Sequence, residues 1–478
     1  MHSILGIDIG TTAIKLNLFS KEDYLILCSK KYSVPMKESN ETSSTQAPPI
    51  ILQLVLDGIQ AIAKEYRIDA LVFSTAMHSL IPVRKGQVGE MYLWSDKRAQ
   101  KTMTHFKQTQ PMKAKHFYEA TGTPIHAMSP FAKLLYFKEK EPEFFASVDQ
   151  WIDIKAYLMH YFTGEYVVDY SIASATGLFN TETFSWDSEI LSFVSVKEEQ
   201  LPQAVDTDTV FAITPSAIQA CQLSSATKIY IGASDGTLAS YASWIGTGQK
   251  ISLTVGTSGA IRYLSAERKI SESQSTFCYY LAKNQWVIGG ATNNGGKTLE
   301  WASQLFYENQ TDIFTEIPTS FKNSPIGAKQ LVFLPYINGE RAPLWDANVT
   351  GKFDGVTLVH RRDDFIRAIC EGILFNLKYI HLQLGIQEKA GIALSGGFFT
   401  IPTMAIEAAA IFESDCVQSD YTEPSFGAVA LVAEQTIGRK INELETIAVD
   451  SLKKVAYQKS FEQFRYELDK TFNQSLNK

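Results

Sequence analysis

Ile4-Leu-Gly-Ile-Asp8-Ile-Gly10-Thr11-Thr12-Ala-Ile-Lys15-Leu-Asn-Leu-Phe19 decides how the rest of the chain is understood. Apolar, β-branched residues lie on both sides of its centre, the pattern of two strands. Gly10 permits a tight reversal between them, and two short hydroxyl residues follow. The product is a β-hairpin whose tip offers backbone N–H groups and the Thr11 and Thr12 hydroxyls to an anion. Asp8 stands just before the tip, where a carboxylate can hold Mg²⁺ directly or through water. Lys15, just past it, can meet a phosphate as a point charge. An ordinary N-terminal hairpin remains the plainer alternative. The stretch is neither a dinucleotide fingerprint nor a Walker A loop. Gly6 and Gly10 are four apart with no third glycine opening a helix, and Gly-Lys-Ser/Thr is missing.

The 478 residues, 45% apolar and 20% charged, are too many for one core and suit two large globular domains. A net charge of −7 argues against nucleic acid or an anionic membrane as the main partner. The five scattered cysteines suggest a reducing compartment without a disulfide frame and show no metal-ligand spacing. The chain enters a strand at once, with no signal-like segment, and lacks an uncharged apolar run of about 18 residues. The cytoplasm is the expected setting.

Downstream, Ala70-Leu-Val-Phe73 reads as a buried strand ending in the polar cluster Ser74-Thr-Ala-Met77-His78-Ser79. A polar cluster at the carboxyl end of a strand is where α/β sheets bind ligands. Leu93-Trp-Ser-Asp96-Lys-Arg98 is a second such cluster, and either could be a plain loop. Asp169 to Ser174 is polar and small, a segment able to close over a ligand. Lys228-Ile-Tyr-Ile-Gly232 is another strand, running into Asp235-Gly236. There a turn would leave a carboxylate open to a cleft, although Asp-Gly is more often purely structural.

Ile251-Ser-Leu-Thr-Val-Gly256-Thr257-Ser-Gly259-Ala-Ile-Arg262 repeats the opening design. Two such hairpins, each near the start of a domain, argue for duplicated domains whose tips grip a polyphosphate from both sides. Gly289-Gly290-Ala-Thr-Asn-Asn-Gly-Gly296 then leads into a helix, whose N-terminus is an expected anion or nucleotide site. In Leu334 to Pro343 the charges of Glu340 and Arg341 are candidates for ordering a turn-rich loop. Ser395-Gly396-Gly397 lets backbone approach a flat ligand such as adenine.

In this order the motifs resemble the FGGY carbohydrate kinases from end to end. Gly351-Lys-Phe-Asp-Gly355 with Asp364 to Glu371 looks like that family's C-terminal signature. Cys370 departs from it, standing where a larger apolar residue is usual. The resemblance implies an α/β architecture of two RNase-H-like (actin-like ATPase) domains, residues 1–243 and 244–478, with the catalytic cleft between them. It also implies ATP with Mg²⁺ near Asp8, and phosphate held by Gly10, Thr11, Thr12 and Lys15 on one side and Gly256 and Thr257 on the other. Gly290 and Gly397 would lie along the nucleotide. Asp235 matches the general base, and Met77, His78, Asp96 and Asp235 match positions facing the sugar. For Asp96 a salt bridge to Arg98 is an equal alternative. Ser74 to Leu80, Asp169 to Phe179, Ala291 to Gly295 and Gly339 to Trp345 look most like gluconate kinases, which implies phosphorylation of the primary hydroxyl of D-gluconate to 6-phosphogluconate. The gluconate carboxylate would then need a donor, with Lys97, Arg98, His78 and helix N-termini as candidates. The alternatives are a kinase for xylulose, ribulose or glycerol, and a non-catalytic actin-like module that binds ATP and a partner protein. The expected partner is a small sugar acid or polyol. Oligomeric state stays open, with a homodimer as one option.

Overall fold

Two mixed sheets built to one plan account for both glycine hairpins. The computed structural model describes residues 3–40, 42–308, 312–386, 390–433 and 444–476. β1 (Ser3–Ile9) reverses through Gly10–Thr12 into β2 (Ala13–Ser20), and β3 (Ile26–Ser33) continues the antiparallel meander. Helix α1 (Pro48–Ala63) crosses over to β4 (Ala70–Thr75), which lies parallel to β1. A long insertion follows, with its own aromatic core built around Phe106, Phe117, Phe131, Phe137 and Trp151. Within it lie α2 (Ile154–Thr163) and α3 (Tyr170–Ser174). β5 (Val210–Ala212) and β6 (Lys228–Ser234) complete a sheet of order β5-β6-β4-β1-β2-β3, and α4 (Asp235–Thr247) leaves it.

The second sheet starts with β7 (Ile251–Val255), β8 (Gly259–Ser265), β9 (Phe277–Ala282) and β10 (Gln285–Thr292). Helices α5 (Gly296–Tyr307) and α6 (Arg362–Gln383) precede β11 (Ile392–Ser395) and β12 (Cys416–Gln418). After α7 (Pro424–Leu431) come β13 (Thr446–Ile447) and the outer helix α8 (Ser451–Leu476). The order is β9-β10-β8-β7-β11-β12-β13. In each sheet a hairpin (β1–β2, β7–β8) is flanked by two parallel strands on one side and closed by an antiparallel edge strand beyond them. The duplication inferred from the two tips therefore extends to whole sheets.

The halves are not cut cleanly at residue 243, which falls within α4. Helix α7, late in the chain, packs on the first sheet: a β-carbon on Gly6 of β1 would stand 2.5 Å from the Ser425 carbonyl oxygen. A shared core joins Ile4, Phe19 and Val72 to Leu238 of α4, Val287 of β10, and Phe426 and Val429 of α7. Among the described residues no helix is long and apolar enough to cross a membrane, and all five cysteines are free.

One buried cation fixes the end of the first sheet. β6 pairs with β4 through Tyr230 and again from Ala233, with an irregularity between. Gly232 takes the left-handed conformation there (φ 70°), and a β-carbon would run into the Phe73 carbonyl oxygen. The irregularity draws carbonyls out of the ladder. Lys155 of α2 collects them, its Nζ donating to Ile231 O at 2.7 Å, Phe73 O at 3.1 Å and Ala233 O at 3.3 Å. It also pairs with the buried Asp169 carboxylate at 2.9 Å. The segment 169–174 is thus a brace. Asp169 and the α3 residues Ser171 to Ser174 are buried, and Ser171 Oγ bonds Ser234 and Thr237 at the start of α4. The expectation that it closes over a ligand is corrected by that burial. Replacing Lys155 by Met should lower unfolding free energy by about 3–5 kcal/mol, because a buried carboxylate and three carbonyls lose their partner. Denaturant titration of the ligand-free protein measures it, and a loss under about 1 kcal/mol would contradict this account.

Candidate active site

Parallel strands that end level with one another bring separate segments to one edge. Across the first sheet Asp8 is level with Ser74, and Ser74 with Ala233; Ile9, Thr75 and Ser234 form the next row. Asp8, the 74–79 cluster and Asp235 therefore meet at the same edge as the Gly10 tip. The tip is closed by Gly10 N donating to Ala13 O at 3.0 Å. Thr12 is exposed, while Thr11 Oγ1 accepts from Trp94 Nε1 at 3.2 Å. Asp8 accepts from Ser74 Oγ at 2.8 Å. Burial, then the fields of Asp235 and Glu423, push its carboxyl up to about 7. Among the described residues no group of three His, Cys, Asp or Glu gathers as a metal site.

Asp235 opens α4, so the anticipated Asp-Gly turn is a helix start. A β-carbon on Gly236 would stand 2.8 Å from Met77 Cε, so the two residues adjoin. Asp235 Oδ1 accepts from Gly236 N at 2.7 Å, and the helix dipole favours an anion at this position. Burial outweighs these effects and lifts the carboxyl to about 6, with Gly236 N–H, the Arg262 charge and Met77 N–H opposing it. Asp235 remains partly exposed.

His78 has left-handed backbone (φ 66°), which turns its ring inward. Its Nδ1 lies 2.7 Å from Ala175 O. A carbonyl only accepts, so Nδ1 carries the proton and Nε2 is left as an acceptor. Burial, then the Lys133 charge, lowers the imidazole to about 3, so His78 is neutral at physiological pH.

At the second tip Gly256 has open space around its α-carbon and Thr257 is exposed. Gly396 (φ 92°) could not carry a β-carbon beside the Val255 carbonyl oxygen, while Gly397 is exposed with nothing near. Thr254 and Ser395 are level in β7 and β11, so this tip and the double glycine share one edge.

Four expectations change. Asp96 does not face a sugar: its carboxylate accepts from Arg98 Nε at 2.8 Å and Nη2 at 3.0 Å and from Ser44 N at 2.9 Å, and it is 1% exposed. That ion pair occupies Arg98 Nε and Nη2, and Lys97 is exposed in a surface pocket lined also by Arg98, Lys101 and His105. Gly290 sits inside β10, opposite Ile261 and two residues back from the sheet edge. A β-carbon there would meet Ile380 Cγ2 at 2.5 Å and Ala342 Cβ at 2.7 Å, so its glycine serves packing and not a nucleotide. The α5 N-terminus is not an open anion site either: Gly296 N and Lys297 N donate to Gly256 O and Thr257 O at 2.6 and 3.0 Å, bracing the second tip. Lys15 is held by Glu423, Nζ to Oε1 at 2.7 Å and Oε2 at 2.9 Å.

Arg262 and Arg341, which carried no functional expectation of their own, also reach this cleft. Arg262 Nη2 lies 3.7 Å from where a Gly236 β-carbon would stand, beside Asp235. The Arg341 guanidinium carbon sits 5.1 Å from the Trp94 ring centre. A cation in the middle of the buried strand β8 was the available signal for Arg262.

Residues 3–241 match the model of the N-terminal domain of the FGGY family of carbohydrate kinases, and residues 251–433 that of its C-terminal domain. The chain is 32% identical to a gluconokinase of Bacillus licheniformis over 93% of this chain and 89% of that protein. Its structure is similar to those of a gluconate kinase and a ligand-bound xylulose kinase, both from Lactobacillus acidophilus. Each shows a TM-score of 0.91 and 31% identity over 98% of both chains. Joined to a polar cleft edge with one base-like carboxylate and two glycine tips, these likenesses identify the chain as a member of the FGGY family of carbohydrate kinases, an ATP-dependent sugar kinase.

Proposed function

We propose that this enzyme phosphorylates the primary hydroxyl of D-gluconate, giving 6-phosphogluconate. The observation that carries the substrate is the likeness to a gluconokinase over nearly the full length of both chains. The xylulose kinase structure of equal similarity favours a ketose as the second reading.

The residues divide the work. Gly10, Thr11 and Thr12 on one tip and Gly256 and Thr257 on the other hold phosphates through N–H groups and hydroxyls. Gly397 leaves room for the flat base of ATP. Lys15 reaches phosphate only by leaving Glu423. Met77 and the Nε2 acceptor of neutral His78 face sugar hydroxyls. Asp235 accepts the proton of the attacking hydroxyl, which becomes acidic as the new P–O bond forms. Mg²⁺ commonly uses one or two carboxylates, with phosphate and water supplying the other ligands. Asp8 fits that role: buried and raised towards neutrality by two neighbouring acids, it gains from an adjacent cation. The ion would supply charge neutralisation on the phosphates.

ADP release with MgATP should depend on sugar, with D-gluconate strongly preferred over xylulose, ribulose and glycerol. Preference for a ketose would overturn the substrate, and sugar-independent turnover would point to a binding module. Asp235→Asn should keep ATP affinity while turnover falls by about 10²–10⁴; near-normal turnover would remove Asp235 from the base role. Since burial raises both acids, the base is lost as pH falls. The kcat/KM profile for sugar should therefore show an acid limb near about 6 as Asp235 takes up a proton. A profile flat down to about pH 5 would contradict it. Chelation should abolish activity and Mg²⁺ restore it, with Asp8→Asn raising the Mg²⁺ needed for half-maximal rate by about 10-fold or more. An unchanged requirement would exclude Asp8.

A further inference from the structure

A surface pocket of about 540 Å³ lies where the helix Gln100–Thr109 of the first half meets Asn348 of the second. None of the residues given a part in the reaction lines it. Lys101, Thr104 and Gln108 follow at intervals of three and four, which puts them on one face of that helix, and Lys97 precedes them by four. All four line the pocket, together with Arg98 and His105.

The lining holds three full cations and no acid. Arg98 is balanced by Asp96, which occupies its Nε and Nη2. Its Nη1 makes no hydrogen bond among the described residues and is not a sealed atom, so two N–H groups are left for a ligand. Their plane is held by Asp96 and by the Tyr92 ring, whose centre lies 4.3 Å from the guanidinium carbon. Two further charges stand beside the Asn348 wall and offset each other. Asp346 accepts from Asn348 N at 2.8 Å and Nδ2 at 3.1 Å, and Lys107 donates to Trp345 O at 2.7 Å. On the Tyr136 wall, Glu141 bonds the Tyr136 hydroxyl. Lys97 and Lys101 are exposed and form no ion pair among the described residues. Two lysines against one further carboxylate leave the pocket cationic.

A phosphate group is only a few times the roughly 30 Å³ of a water molecule, so it fills a small part of this space. The rest of the wall suits a polyol. Gln100 Nε2 is spent on Asn348 Oδ1 at 3.2 Å, which leaves Gln100 Oε1 as an acceptor. Thr104 Oγ1 donates to Gln100 O at 3.2 Å and can still accept. Gln108 has no hydrogen-bond partner among the described residues. These groups match hydroxyls, while the ammonium and guanidinium groups match a phosphate through charge-assisted bonds.

We propose that this pocket is a second ligand site, separate from the active site, that takes a phosphorylated sugar. Lys97, Lys101 and Arg98 Nη1 meet the phosphate, and Gln100, Thr104 and Gln108 meet the hydroxyls. Occupancy does not depend on which sugar the enzyme phosphorylates.

The test is calorimetry on the full chain with D-glucose 6-phosphate as the probe, MgADP being present to fill the nucleotide site. One molecule should bind per chain with a Kd of about 0.1–1 mM. Inorganic phosphate should bind at least about 10-fold more weakly, since it forgoes the hydroxyl contacts, and D-glucose should give no heat. Lys97→Glu and Lys101→Glu should each weaken the sugar phosphate by about 10-fold or more, because a charge facing the phosphate is reversed. Lys101→Glu should keep kcat and both KM values within about 2-fold of the parent. Melting temperature reports folding, and Lys97→Glu carries the binding test if the Lys101 variant does not fold. No binding up to about 10 mM, or unchanged affinity in the variants, would overturn the site. Displacement by MgADP, or by whichever sugar supports turnover, would place the probe in the active site and overturn it too. Inorganic phosphate binding as tightly as the probe would overturn the assignment to a sugar. A raised sugar KM in Lys101→Glu would make the pocket part of the substrate site, against the proposal.

Discussion

The Lys155 ammonium, closed in by Asp169 and the ends of β4 and β6, is the contact on which the site depends. A regular ladder would pair every carbonyl of those strands, and β6 would leave the sheet at a different height. The irregularity at Gly232 resets it and leaves carbonyls that need donors in a place water does not reach. An ammonium has three protons and can serve several acceptors at once. A guanidinium is a fixed plane and could not. With the irregularity held, Ser234 ends β6 level with Thr75 and Ile9, and Asp235 begins α4 at the cleft edge.

Charge is distributed unevenly along that edge. Asp8 and Asp235 are both raised by burial, so the ligand-free protein carries carboxylates it holds poorly in ionised form. This cost is absent below about 4, where both acids are protonated folded or unfolded, grows as pH rises from 3.8 to about 6 for Asp235 and about 7 for Asp8, and is constant above. A site of this kind is completed by cationic ligands near Asp8 and by an acidic hydroxyl near Asp235.

Local pattern made much of this legible. Alternation and glycine placement gave both hairpins, and strand ends rich in small polar residues gave Ser74, His78 and Asp235. What local pattern could not give was pairing across sequence distance. Asp96 binds Arg98, two residues on, yet whether it also faced a sugar depended on Ser44, 52 residues earlier. Gly290 and Gly397 are alike as letters, but one is packed under α6 and the other lies in open space. The polarity of 169–174 resembles a lid until Lys155 is seen beneath it. Glu340 orders its loop as its charge suggested, but the five donors that it gathers come from Thr292, Asn293, Asn294, Asn376 and its own neighbour's amide, most of them far away in sequence.

The halves of the molecule are joined in two ways of unequal weight. Lys15 of β2 and Glu423 before α7 form a pair whose side chains are 36% and 41% exposed, and such pairs contribute at most about 1 kcal/mol. It can be exchanged without disturbing the fold. The contact of Gly6 with the Ser425 carbonyl is different, because no β-carbon fits between the two backbones. Phe426 and Val429 then seal α7 into a core with Ile4 and Val72. A segment near the end of the chain thereby becomes part of the floor beneath the first hairpin. The first tip holds its position through packing, and Lys15 beside it is left in a pairing weak enough to yield to a phosphate.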